Sequence, residues 1–363
     1  PPLSPLDEEA AFEAFNPAFD GLLGRDGGEI PAGDMTDFAR FALTIALPPN
    51  PHRRLSNELC TSTDVSDGVP GCVEDEANGE FTYTSVGSDV NGTVACEVCH
   101  TLERSNGFFG GDGRSTLEGE TQEFKVPHLR NDYAKAGMFG NTSGALDPGS
   151  MGPQIRGFGY LHDGGIASLF DFVSAPAFTL TPQQVVDVVA FVFAFDTNYA
   201  PVVGQQVTLR SDSDPGVDER IDLFRASAGT PFEMVEVMNA TQCDLVVKGV
   251  IAGEPRGWLF DASTGDYLDD AGSSVTDTAL RALANTPGQE LTFSCVYPLG
   301  GNRIGLDRNE DGISDADQCG DVNGDGLVGA ADPALLRLSL SGLRNLIAPS
   351  KCNVTGASGG SSS

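Results

Sequence analysis

Cys96-Glu97-Val98-Cys99-His100 constrains this chain more than any other stretch. Two thiols at this spacing share one side of a helical turn, and a histidine follows directly. In the C-x-x-C-H pattern each thiol adds across a haem vinyl group. The sulfur bonds one vinyl carbon, the other takes the proton, and the imidazole comes to lie under the iron. With eight cysteines and four histidines in 363 residues, chance does not account for the match. A structural zinc site would require a second pair at similar spacing, and the sequence has none. A thioredoxin-type dithiol belongs in a βαβ unit, whereas Gly-rich sequence follows here. The expectation is one covalent haem c, held by Cys96 and Cys99 with His100 as an iron ligand.

The other six cysteines allow fifteen pairings, and their positions favour local ones: Cys60–Cys72, Cys243–Cys295 and Cys319–Cys352. Disulfides and covalent haem both point to an oxidising compartment. The chain begins at Pro1 without methionine, as a mature product would after removal of a signal peptide. The expected location is therefore periplasmic, extracellular or at the cell surface. No run of eighteen apolar residues is present, so no membrane span is expected. A net charge of −31 disfavours nucleic acid and anionic membranes as partners.

The predicted fold is multidomain. Residues 1–200 read as a mainly α haem domain with an N-terminal extension. Asp34 can cap a helix running to Ile45, with Met35, Phe38, Phe41, Ala42 and Ile45 spaced as a buried face. Thr181-Pro182-Gln183-Gln184 starts a second helix with a capping box and proline at the first helical position. Its run from Val185 to Phe195 is apolar nearly all round and predicts deep burial. Cytochromes c pack terminal helices beside the haem, and these two are the expected pair. Residues 201–302 read as a small β-rich domain stapled by Cys243 and Cys295. Strands are expected over 206–209, 243–250, 257–260 and 290–297, with short helices near 217–228 and 276–284. Residues 303–352 form a calcium-loop segment, and 353–363 a flexible Gly/Ser tail. Asn91, Asn141, Asn239 and Asn353 open N-x-S/T sequons.

Phe124-Lys125-Val126-Pro127-His128-Leu129-Arg130-Asn131, followed by Tyr160-Leu161-His162-Asp163-Gly164-Gly165, resembles the C-terminal haem domain of bacterial di-haem cytochrome c peroxidases. The resemblance covers roughly residues 90–198. It implies a cytochrome c-like helical fold and a role for Arg130 in neutralising a haem propionate. The departures are equally informative. That family uses two haems, and this chain has one motif. Its methionine ligand follows the H-D-G segment, but Ser168 to Thr181 contains no methionine. Roughly thirty residues separate Asn131 from His162, and they carry Met138 and Met151. Met138 is the favoured distal ligand, with His162, Met151, His128 and His52 as alternatives and an open sixth position as another.

Asp321, Asn323, Asp325, Leu327 (through its carbonyl) and Asp332 occupy positions 1, 3, 5, 7 and 12 of an EF-hand-like loop, with Gly326 at the sharp turn. The segment resembles one dockerin-type repeat. Just before it, Asp307, Asn309, Asp311, Ile313 (carbonyl) and Asp315 have the same D-x-N-x-D-G opening and resemble a thrombospondin type 3 or EF-like loop. One or two structural calcium ions are expected. These readings predict an exported monohaem c-type cytochrome that passes single electrons to redox proteins or extracellular acceptors, or between copies of itself. The alternatives are a haem-bearing subunit of an extracellular filament or surface assembly, and a peroxidase-like enzyme using His162 or Glu97. No catalytic residue is assigned.

Overall fold

Thr181 starts the helix that organises the first half of the chain. In the computed structural model, α8 spans Pro182–Phe193, and the expected capping box is in place. Gln184 N–H donates to Thr181 Oγ1, and Gln184 Oε1 accepts from Thr181 N–H at 3.0 Å. At the other end, Asn50 Nδ2 donates to the carbonyls of Phe193 and Phe195, and Arg53 Nη1 to that of Ala194. The carbonyl of the last helical residue and those of the two residues after it, which a helix end leaves without internal partners, thereby find donors. Val185, Val188, Phe191 and Val192 are buried.

The structure describes residues 8–22, 24, 27–102, 114–115, 124–135, 160, 166, 168–232, 240–308, 310, 312, 314–317 and 331–340. The chain divides into two compact units, with the break between Pro201 and Val202. The first carries α1 (Glu8–Glu13), α2 (Pro17–Gly21), α3 (Ala32–Leu43), α4 (Ser62–Ser66), α5 (Glu76–Ser85), α6 (Cys96–Cys99) and α7 (Leu169–Val173) besides α8. It also holds a two-residue antiparallel pair, β1 (Arg114–Ser115) with β2 (Phe124–Lys125), and a 3₁₀ turn over Asp132–Lys135.

The helix that packs along α8 is α5, not the one expected near residues 34–45. α5 reads Glu-Ala-Asn-Gly-Glu-Phe-Thr-Tyr-Thr-Ser, too polar to show an apolar stripe. Its buried face is Glu76, Gly79, Thr82 and Tyr83. At the crossing, a Cβ on Gly79 would stand 2.0 Å from the Asp187 carbonyl oxygen and 2.7 Å from Phe191 Cβ. Glycine is what lets these two backbones meet. Beside it, Asn78 Nδ2 donates to the buried Asp187 carboxylate at 2.6 Å, and Gln183 Nε2 donates to its other oxygen at 2.9 Å. Tyr83 then fits edge-on between Phe191 and Phe195.

α3 begins at Ala32 with Pro31 in the capping position, so Asp34 falls in its first turn rather than capping it. It buries Met35 and Ala39, whereas Phe38, Phe41 and Ile45 are exposed, contrary to the expected face. α3 packs on α1, where Phe38 meets Phe12 edge-on, and Phe38 also meets Phe19 of α2 edge-on. The Cys60–Cys72 disulfide forms as expected. It is tied to the start of α5 by Cys60 N–H donating to Glu76 Oε2 at 2.9 Å.

The second unit is built on a six-stranded antiparallel sheet: β3 (Gln206–Leu209), β4 (Asp244–Ile251), β5 (Glu254–Asp261), β6 (Asp266–Asp269), β7 (Ser274–Val275) and β8 (Leu291–Val296). The order is β3-β8-β4-β5-β6-β7. All four expected strands are present, joined by β6 and β7, which are too short to show alternation. β8 buries Leu291, Phe293 and Cys295 at every second position, the mark of one covered face. α9 (Pro215–Gly229) lies across β3, β8 and β4 and buries Ile221, Phe224 and Ala228. Cys243–Cys295 links the residue before β4 to β8. α10 (Asp277–Leu283) and α11 (Gly301–Gly305) complete the sheet's helices, and α12 (Ala331–Leu340) follows the second acidic loop. The expected Cys319–Cys352 pair lies outside the described residues. No helix among the described residues is long and apolar enough to cross a membrane.

Candidate haem-attachment site

The approach to the motif is held by one carboxylate. Asp89 Oδ1 accepts the N–H groups of Val94, at 2.7 Å, and of Thr93, while Oδ2 accepts that of Asn91. These donors pull the Asp89 carboxyl down to about 2. The loop is fastened to the segment entering α8 by Thr179 N–H donating to Ser88 O at 3.0 Å. Gly92 sits in its turn with φ at +67°. α6 then turns once, with His100 N–H closing it onto Cys96 O at 2.8 Å.

Cys96 and Cys99 are both free thiols. Cys96 is half-buried against the core of Tyr83, Tyr160, Val188 and Phe191, within 3.4 Å of Ser88 Oγ, while Cys99 is exposed. Burial pushes the Cys96 thiol above its ordinary value, so it is held as the neutral thiol.

His100 is fixed at three points. Its carbonyl accepts from the Tyr83 hydroxyl at 2.5 Å, its N–H is in α6, and its Nδ1 lies 2.8 Å from Pro127 O. A carbonyl can only accept, so Nδ1 carries the proton and Nε2 keeps its lone pair. Burial also pushes the imidazole below its ordinary pKa, which outweighs the opposing effect of the Pro127 carbonyl. A neutral, oriented imidazole with a free Nε2 is the form that ligates a metal, and a backbone carbonyl on Nδ1 is a common way to hold it. Leu102, Leu129, Ile166, Phe172 and Val189 extend the apolar surface packed around the core. Thiols, imidazole and apolar surroundings together fit a covalently attached haem.

Arg130 is 3% exposed. Its Nε donates to Asp196 O at 3.1 Å, and its Nη2 to Leu102 O at 2.9 Å and Asp196 Oδ1 at 3.4 Å. It thus braces the segment just past His100 against the chain leaving α8. Among the distal-ligand candidates, Met138, Met151 and His162 lie outside the described residues. His52 and His128 are exposed, and the His52 ring stands 5.4 Å from that of Tyr133 and 6.1 Å from that of Phe193.

In the second unit, Asp307, Asp315 and Asp332 are buried. Asp307 Oδ2 accepts Gly312 N–H at 2.9 Å, while its Oδ1 is shut off from solvent without a hydrogen-bond partner. Asp315 closes the loop: its N–H donates to Leu306 O at 2.7 Å, and its Oδ1 accepts Arg308 N–H at 2.9 Å. Lys248 reaches across from β4 to Gly305 O at 2.8 Å and lies 3.8 Å from Asp315 Oδ2. Asn309, Asp311, Ile313, Asp321, Asn323, Asp325 and Leu327 lie outside the described residues. Among the described residues no three His, Cys, Asp or Glu side chains gather as a metal site.

Sequence reasoning passed over Tyr83, Asp89 and the Pro127 carbonyl. Only Asp89 had a local signal, the Asp-Val-Asn-Gly turn that precedes the motif. No protein-family model, curated protein or solved structure matches the chain.

Proposed function

We propose that this chain is an exported c-type cytochrome with a single haem that carries electrons one at a time. The observation that supports the reading best is the Nδ1 contact of His100 with Pro127 O, beside two free thiols one helical turn apart. Cys96 and Cys99 would hold the haem through thioethers, and His100 Nε2 would ligate its iron. When bound, the haem supplies the one-electron iron couple. Tyr83 keeps the His100 backbone in place, and the apolar residues around α8 exclude water. Arg130, already anchored to Asp196, contributes the buried cation for a propionate. Met138 is the residue that would supply the second protein ligand. Redox proteins, extracellular acceptors or further copies of the chain are its electron partners.

Visible absorption of the oxidised and reduced protein tests this. A sharp low-spin α band on reduction, with a weak far-red band when oxidised, supports the electron carrier with methionine ligation. A low-spin spectrum without the far-red band moves the second ligand to histidine. A high-spin spectrum favours the peroxidase-like alternative, and no haem absorption sinks the reading altogether.

Calcium is proposed for the loop opening at Asp307 and for the one opening at Asp321. Asp307 Oδ1, buried and without a partner, supports the first, because a carboxylate oxygen in that state calls for a cation. The ion's role is structural. Calorimetric titration of the chelator-treated protein with calcium reads it out directly, and no heat of binding rejects both loops.

A further inference from the structure

Tyr160 belongs to the same core as the haem-attachment helix. It is 7% exposed and packs with Tyr83, Leu169, Val188 and Phe191, the cluster against which Cys96 rests. Its backbone is satisfied in both directions by Ile166, at 2.8 and 3.2 Å. Its hydroxyl is not: the oxygen is sealed from solvent and has no hydrogen-bond partner. Native cores rarely leave a hydroxyl in this state, because it has lost water and gained nothing. A group that accepts a hydrogen bond is therefore missing from its surroundings.

The charges nearby say which kind. The Lys135 ammonium stands 5.2 Å from the centre of the Tyr160 ring. Among the described residues, the Asp132 carboxylate is buried and turned to Lys135 at 3.2 Å. It makes no hydrogen bond to the tyrosine. A hydroxyl donor beside an ammonium suits a carboxylate acceptor. The only carboxylates a haem brings into an apolar core are its propionates, the rest of the macrocycle offering no comparable acceptor.

Resting on the haem reading, we propose that the Tyr160 hydroxyl donates a hydrogen bond to a haem propionate. Tyr160 is then a positioning residue. It fixes the polar edge of the haem while Cys96, Cys99 and His100 fix the rest. It also draws off part of the propionate's negative charge, which otherwise favours ferric iron.

Tyr160→Phe removes the hydroxyl and keeps the ring. In the haem-bearing protein the expected result is unchanged thioether attachment, a shifted propionate-bending band in resonance Raman, and a lower midpoint potential. Haem-bearing Tyr160→Phe with the native band and native potential overturns the proposal. So does a phenolate-to-iron charge-transfer band in the native protein that vanishes in the variant, since that places Tyr160 on the metal. Should the variant not accumulate, NMR of the reduced native protein decides: Overhauser contacts between Tyr160 and the propionate methylenes support the proposal, and a ring remote from both overturns it. Failure of the haem reading is distinguishable, because it shows as absence of haem absorption in the native protein before any variant is made.

Discussion

Replacing Gly79 by alanine tests the α5–α8 crossing by the sign of its effect. In an exposed helix interior, Gly→Ala stabilises by about 1 kcal/mol, because glycine loses more backbone freedom on folding. At Gly79 the new methyl would meet the Asp187 carbonyl oxygen at 2.0 Å and Phe191 Cβ at 2.7 Å. Neither atom is the end of a flexible side chain, so neither can swing away. The helices must part by on the order of 1 Å to restore ordinary contact distances. Overpacking of this kind costs about 1–3 kcal/mol. Parting also stretches the Asn78–Asp187 hydrogen bond, now 2.6 Å, and a bond to a charged group contributes about 1.5–3 kcal/mol. Set against the helix-propensity gain, the net loss is about 1.5–5 kcal/mol. Gly33, in α3, serves as the control, because a methyl there would meet nothing within 4 Å. Gly33→Ala should be neutral or stabilising by up to about 1 kcal/mol. Urea unfolding followed by one probe in each unit separates them. On the proposed haem reading, haem absorbance follows the first, and Trp258, the single tryptophan, reports the second by fluorescence. With an m-value of about 2 kcal/mol/M, Gly79→Ala should lower the first transition by about 0.8–2.5 M and leave the tryptophan transition in place. A raised or unchanged first transition would refute the close crossing.

Other tests follow from the same contacts. Removing the Cys60–Cys72 link, which closes a separation of 12 residues, should cost about 3 kcal/mol, read as a fall in the first unit's urea midpoint. The Asp89 carboxyl is depressed in the folded state to about 2, below its ordinary value of about 3.9. Its contribution to stability is therefore full above about pH 4 and lost as pH falls through about 2. Asp89→Asn should flatten acid unfolding of the first unit within that window, and an unaltered acid profile would count against the loop's dependence on this carboxylate. On the proposed calcium reading, chelator should destabilise the second unit, read by Trp258 fluorescence, and Asp307→Ala should abolish that response. Equal responses in the variant and native protein would remove Asp307 from the ligand set.

Local chemistry carried much of what could be read in advance. The spacing of Cys96, Cys99 and His100, the capping box from Thr181 to Gln184, and the alternation of Leu291, Phe293 and Cys295 are each complete within a few residues. Such signals need no knowledge of the rest of the chain. Cys60–Cys72 and Cys243–Cys295 could be paired because each lies within one stretch of uniform character. What only the tertiary structure decided depends on segments distant in sequence. α5 has too few apolar residues to advertise a buried face. Its partnership with α8 rests on Gly79, which permits contact by lacking a side chain, and on Asn78 reaching Asp187. The apolar spacing of α3 named the wrong face, because periodicity shows that a helix is amphipathic but not which neighbour will cover it. The tautomer of His100 was undetermined until the carbonyl of Pro127, 27 residues away, came within hydrogen-bond distance of Nδ1. A five-residue motif can propose a chemistry, but orienting the imidazole takes a partner that only folding brings to it.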